Sequence, residues 1–188
     1  MNLHSMLLER QAEDRPVRVG LIGAGKFGSM YLAQVLHTPG TQLLGVADLG
    51  VERARAALRR TGWPAERYAA SSFADALGSG RTFVTDDGAA LIGADGLDVV
   101  VDATGNPAAG IRHALACIEH GRHIVMVNVE ADVLAGPLLA ERARAAGVVY
   151  GMAYGDQPAL ICELVDWARA CGFEVICAGK GMNFEPHF

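Results

Sequence analysis

Aromatic residues make up only 6% of this 188-residue chain, lysine stands at just two positions, and no apolar run approaches the roughly 20 residues that cross a bilayer. No transmembrane helix is therefore expected. The core must be built mainly from aliphatic and small side chains. Residues 1–16 carry acids and no apolar block, so they do not read as a secretory signal, and a soluble, cytoplasmic protein is expected. A formal net charge of −5 offers no basic surplus for nucleic acid. The four cysteines, Cys117, Cys162, Cys171 and Cys177, form no C-x-x-C pair and lie in mostly apolar segments. Free, buried thiols and no metal site are expected.

What is abundant is apolar residues, at 51%, and glycine, at 23 positions. That suffices for one domain with a sizeable core, or for one domain and the start of another. Met1 to Arg15 reads as a polar, partly helical arm. Val17 to Ile22 is a buried strand, followed by a helical pattern from Lys26 to His37 that Thr38-Pro-Gly40 stops. Gln42 to Asp48 is the next strand and Val51 to Arg60 the next helix. Gly62 to Gly80 reads as a short helical insertion. Strands at Phe83–Thr85, Leu97–Ala103, His123–Val129, Val148–Ala153 and Phe173–Ala178 then alternate with helices near Asp87–Ile92, Pro107–His120, Val133–Ala146 and Gln157–Cys171. Alternation of this kind predicts an α/β fold, a doubly wound parallel sheet covered on both faces.

Gly23-Ala-Gly25-Lys26-Phe27-Gly28 follows the first strand directly and opens the first helix of that alternation. A G-x-G-x-x-G string is weak evidence alone and strong in this context. Gly23 permits the tight turn, Gly25 lets the backbone approach a pyrophosphate, and Gly28 allows close packing of helix on strand. The helix N-terminus, with Lys26 and Phe27 in its first turn, then presents N–H groups to phosphate. Asp48, at the end of the second strand, is the acid expected to accept from the adenosine ribose hydroxyls, which favours NAD over NADP. Arg53 and Arg55 would favour NADP if they turned inward; the alternative is a solvated helix face. Together these residues predict a Rossmann-type NAD(P)-binding domain over residues 17–153, after an arm of residues 1–16.

Further candidates gather at the carboxyl ends of later strands. Ala103, Thr104 and Gly105 are small enough to let a nicotinamide ribose lie against the backbone; the plainer reading is a turn before the helix that Asn106-Pro107 opens. Asn128 and Glu130 read as the polar end of a strand beside the nicotinamide, or Glu130 as a helix cap. Asp156 is either a helix N-cap or a substrate contact. Lys180, isolated between glycines in a chain that otherwise uses arginine, is either an exposed turn lysine or a proton-transfer group. Glu130, Asp156 and Lys180 are the candidate catalytic residues, and Asn128 joins the cofactor set. The histidines, His113 among them, are assigned no role.

The motifs VGLIGAGKFG, VADL, VDATGNP, VNVEADV, YGDQP and AGKG, which span Arg18 to Gly181, resemble the homoserine-dehydrogenase-like oxidoreductases whose longer members carry a C-terminal SAF domain. The resemblance implies an NAD(P)-dependent dehydrogenase acting on a small hydroxyl- or carbonyl-bearing substrate, with residues 154–188 as the incomplete start of a catalytic domain. The family also includes enzymes that resemble a reductoisomerase of 1-deoxy-D-xylulose 5-phosphate, so a sugar phosphate is an alternative substrate. Homoserine dehydrogenases carry Asn-Lys where this sequence has Asn128-Val-Glu130, so the matching lysine is absent. A dinucleotide-binding module without catalysis is a third reading. A homodimer is the expectation if the last strand leaves a sheet edge to cover.

Overall fold

The computed structural model describes residues 2–154 and 157–179, the side chains of 157 and 158 excepted. Six strands are present among them: β1 (Val17–Ile22), β2 (Thr41–Ala47), β3 (Phe83–Thr85), β4 (Val99–Asp102), β5 (His123–Met126) and β6 (Tyr150–Met152). They form one sheet in the order β3-β2-β1-β4-β5-β6. The pairs from β3 through to β5 are all parallel. Eight α-helices accompany them: α1 (Leu3–Ala12), α2 (Lys26–Val35), α3 (Val51–Arg60), α4 (Phe73–Ser79), α5 (Gly88–Ile92), α6 (Pro107–Glu119), α7 (Val129–Ala145) and α8 (Gln157–Ala170). The order in which strands are added reverses between β1 and β4, and ligands of open α/β sheets bind at such a switch point, outside the strands' carboxyl ends.

The central strands read as near-continuous apolar runs because helices cover both faces. Leu21, Leu44, Val46 and Val100 are fully buried, as is Leu32 on α2. Each such leucine contributes about 2 kcal/mol of hydrophobic burial. The insertion between α3 and β3 supplies two of the few aromatic core residues, Trp63 and Tyr68, beside a short 3-10 turn at Ala65–Tyr68. The indole N–H of Trp63 donates to the Leu32 carbonyl at 2.9 Å, which satisfies its buried polar atom.

Two sequence expectations fail here. The strand expected over His123–Val129 ends at Met126, and α7 starts at Val129 rather than Val133. Asn128 is the reason: its side chain accepts the Ala131 N–H at 3.2 Å and caps the helix. The second failure is Phe173–Ala178, which forms no strand. Ile176 is 94% exposed there, and no described strand pairs with the segment.

Contacts divide the chain into Met1–Tyr150 and Gly151–Phe188. In the second unit α8 is the only regular helix among the described residues, and the Tyr154 hydroxyl donates to Glu163 Oε2 at 2.7 Å. Of the four cysteines, only Cys117 is buried; Cys162, Cys171 and Cys177 are exposed, against expectation, because they lie on or beyond the amphipathic α8 rather than in the sheet's core. No described helix is long and apolar enough to cross a membrane. Among the described residues no group of three His, Cys, Asp or Glu could hold a metal ion.

Candidate functional site

A cleft of about 390 Å3 opens at the carboxyl edge of the sheet, over β1, β2 and β4. Its first wall is the turn between β1 and α2. Gly23 adopts φ +98°, and a Cβ on it would lie 2.7 Å from the Ala103 carbonyl oxygen, so the β1 and β4 turns meet backbone to backbone. A Cβ on Gly28 would lie 2.2 Å from the Gly23 carbonyl, which presses the first turn of α2 onto the strand end. A Cβ on Gly25 would meet nothing within 4 Å. The backbone at the α2 N-terminus therefore faces open space, and the positive end of the helix dipole points into the cleft. This cradle fits a pyrophosphate.

Asp48 closes the second side. Its carboxylate is buried, with Oδ2 accepting the Ala24 N–H at 2.8 Å and Oδ1 accepting the Gly50 N–H at 2.8 Å. Arg53, in the first turn of α3, places a guanidinium nitrogen 2.5 Å from the same Oδ1. Of the two arginines considered from sequence, Arg53 thus turns toward the cleft, while Arg55 pairs with Glu52 at 3.7 Å.

The third side is built by β4 and the helix after it. Asp102 is fully buried at the end of β4, and its Oδ2 lies 2.6 Å from Nδ1 of His113. Oδ1 accepts the Thr104 N–H at 3.1 Å and the Thr104 hydroxyl at 2.8 Å. Burial alone would raise the carboxyl's pKa. The hydrogen bonds from His113 and Thr104, with the electrostatic attraction of His113, outweigh burial and hold it below the ordinary range. Asn128 ties the same turn from behind: its amide donates to Thr104 Oγ1 at 3.0 Å and to the Asn106 carbonyl at 2.8 Å.

The structure brings Gly23, Gly25, Asp48, Ala103 and Thr104 onto one cleft. Gly105 sits exposed in the turn after β4, and Lys26 and Phe27 are exposed on the first turn of α2, outside the cleft lining. Asn128 is 1% exposed and spends its side chain inside the protein. Glu130 is exposed in the first turn of α7, where an acid also complements the helix dipole. Asp156 and Lys180 lie outside the described residues. Sequence reasoning missed His113, Arg112 and Asp86, all of which line the cleft. One signal was available for His113: an acid that ends an apolar strand needs a partner once buried.

Residues 17–127 match the oxidoreductase family with an NAD-binding Rossmann fold, GFO/IDH/MocA, and residues 155–188 match the catalytic domain of oxidoreductase DRL. No curated protein matches the chain. Among solved structures it is similar to an NAD-binding oxidoreductase from Klebsiella pneumoniae, at TM-score 0.55 and 19% identity over 84% of this chain and 39% of that one. The myo-inositol dehydrogenase of Lactobacillus casei, solved with NAD(H) and myo-inositol, gives TM-score 0.57 and 17% identity over 81% of this chain and 42% of that one. Biliverdin reductase from Synechocystis, solved with biliverdin and NADP+, gives 0.54 and 23% over 82% and 42%. These likenesses show a shared fold, and this chain spans about two-fifths of the length of each.

Proposed function

We propose that this chain, which belongs to the GFO/IDH/MocA oxidoreductase family with its NAD-binding Rossmann fold, holds NAD or NADP in the cleft during hydride transfer involving a small hydroxyl- or carbonyl-bearing molecule. The observation that carries the reading is the 2.8 Å hydrogen bond from the Ala24 N–H to Asp48. It fixes the phosphate-binding turn to the ribose-binding acid, so both are oriented before a ligand arrives. The nicotinamide supplies or accepts the hydride; the chain orients it and shapes the field around it. Asp48 suits the ribose hydroxyls of NAD, and Arg53 suits a 2′-phosphate, so the pair supports acceptance of both cofactors.

The match of residues 155–188 to a catalytic domain supports placing Asp156 and Lys180 with the chemistry, as proton-handling or substrate-orienting groups. Glu130 remains the candidate from the first unit. The narrower homoserine-dehydrogenase-like reading is supported by the sequence motifs alone.

Titration of the purified chain with NADH and NADPH, followed by nicotinamide fluorescence and melting temperature, tests the proposal. Saturable binding should stabilise the fold by about 2.7 kcal/mol at a hundredfold excess over Kd. Gly25→Val should abolish it by filling the space over the cradle. Failure of both nucleotides to bind would overturn the reading.

A further inference from the structure

The cleft carries three chemistries in order. The Gly23–Gly25 turn suits a pyrophosphate, and Asp48 suits the ribose attached to it. The same cleft is also lined by Asp86 and Gly88, after β3, and by Arg112 and His113 on α6. A base bonded to that ribose falls among these last residues, so an account of them rests on the cofactor reading above.

His113 is built differently from its neighbours. Its Nδ1 is spent on the buried Asp102, whose carboxylate form accepts and therefore fixes the proton on Nδ1. Nε2 is left with a lone pair and no hydrogen bond to any described residue. It lies 3.5 Å from where a Cβ on Gly88 would stand, close to the first residue of α5, with the imidazole side chain 20% exposed on the cleft lining. Glycine at 88 places no side chain against Nε2. A tether between α6 and β4 needs only Nδ1; a fixed acceptor aimed into a cleft can do more.

We propose that His113 reads the adenine base, with Nε2 accepting a hydrogen bond from the 6-amino group and Asp102 acting as the positioning residue that holds the tautomer. The acceptor distinguishes a 6-amino purine from a 6-oxo purine, because an oxo group would set one lone pair against another.

Nicotinamide hypoxanthine dinucleotide, which differs from NAD in that one substituent, is the direct probe. The wild-type chain should bind the reduced adenine form about tenfold more tightly than the reduced hypoxanthine form, the effect of one unmatched buried acceptor. His113→Phe should bring the ratio close to one. His113→Gln, whose amide oxygen can accept, should keep part of it. A purely structural role for His113 would weaken both ligands alike and leave the ratio unchanged. Equal affinities in the wild type overturn the proposal even if the Phe variant does not fold. A ratio that survives in His113→Phe and disappears in Asp86→Asn also overturns it, since Asp86 would then be the reader. Absence of all binding would instead strike the cofactor reading itself.

Discussion

Arg53, in the first turn of α3, meets Asp48 just before that helix, with Asp48 4% exposed and the arginine side chain 61% exposed. The acid is fixed by two backbone donors, while the guanidinium reaches it from solvent and is free to rotate away. Such an arrangement separates the two nucleotides by which partner is removed. Arg53→Ala should cost about tenfold or more in affinity for NADPH and little for NADH, the loss of one charge-assisted contact. Asp48→Ala should do the reverse for NADH. Fluorescence titrations of the two variants with both nucleotides check this.

Asp102 should make the fold acid-sensitive. Its folded pKa is lowered relative to the unfolded chain, so its contribution is present above the ordinary carboxylate range and is lost as pH falls through the folded value. Asp102→Asn should cost about 2 kcal/mol at neutral pH. The gap from wild type should close on acidification. Urea unfolding at stepped pH values measures it, and a gap independent of pH would count against the hydrogen bonds that His113 and Thr104 give the Asp102 carboxylate.

Gly110 should tolerate no side chain. A Cβ there would fall 2.5 Å from Asn128 Nδ2 and 2.8 Å from the Ala131 Cβ, both closer than a real Cβ contact allows. Gly110→Ala should destabilise by about 1–3 kcal/mol through overpacking, read as a lower denaturation midpoint at unchanged slope.

The thiols should fall into two classes. Burial pushes Cys117 up to about 12, so it stays a protonated, shielded thiol, whereas Cys162, Cys171 and Cys177 are exposed. A colorimetric disulfide reagent should titrate three thiols in the native chain and the fourth only on unfolding.

The sheet was legible because its signals are local. β1, the glycine turn, α2 and Asp48 lie in sequence within about 30 residues and obey one period each. α3 and β3 match the expected bounds, and Asp87 and Asn106 cap the helices they precede. Misreadings arose where a local signal had two meanings. Val129 is β-branched and follows an apolar strand, but the capping hydrogen bond of Asn128 starts the helix at Val129, four residues before the expected Val133. Phe173–Ala178 has a strand's composition without a strand to pair with among the described residues. His113 was hidden for another reason: it and Asp102 are eleven positions apart, and only the packing of α6 back over β4 makes them neighbours.

The amide of Asn128 serves two masters. Its oxygen holds the first turn of a 17-residue helix, and its nitrogen holds the turn after β4 that floors the cleft. Rotation of that amide to release the floor would uncap α7 at the same moment. The turn that floors the cleft is thus latched to an entire helix, so whatever displaces the start of α7 is felt in the cleft floor.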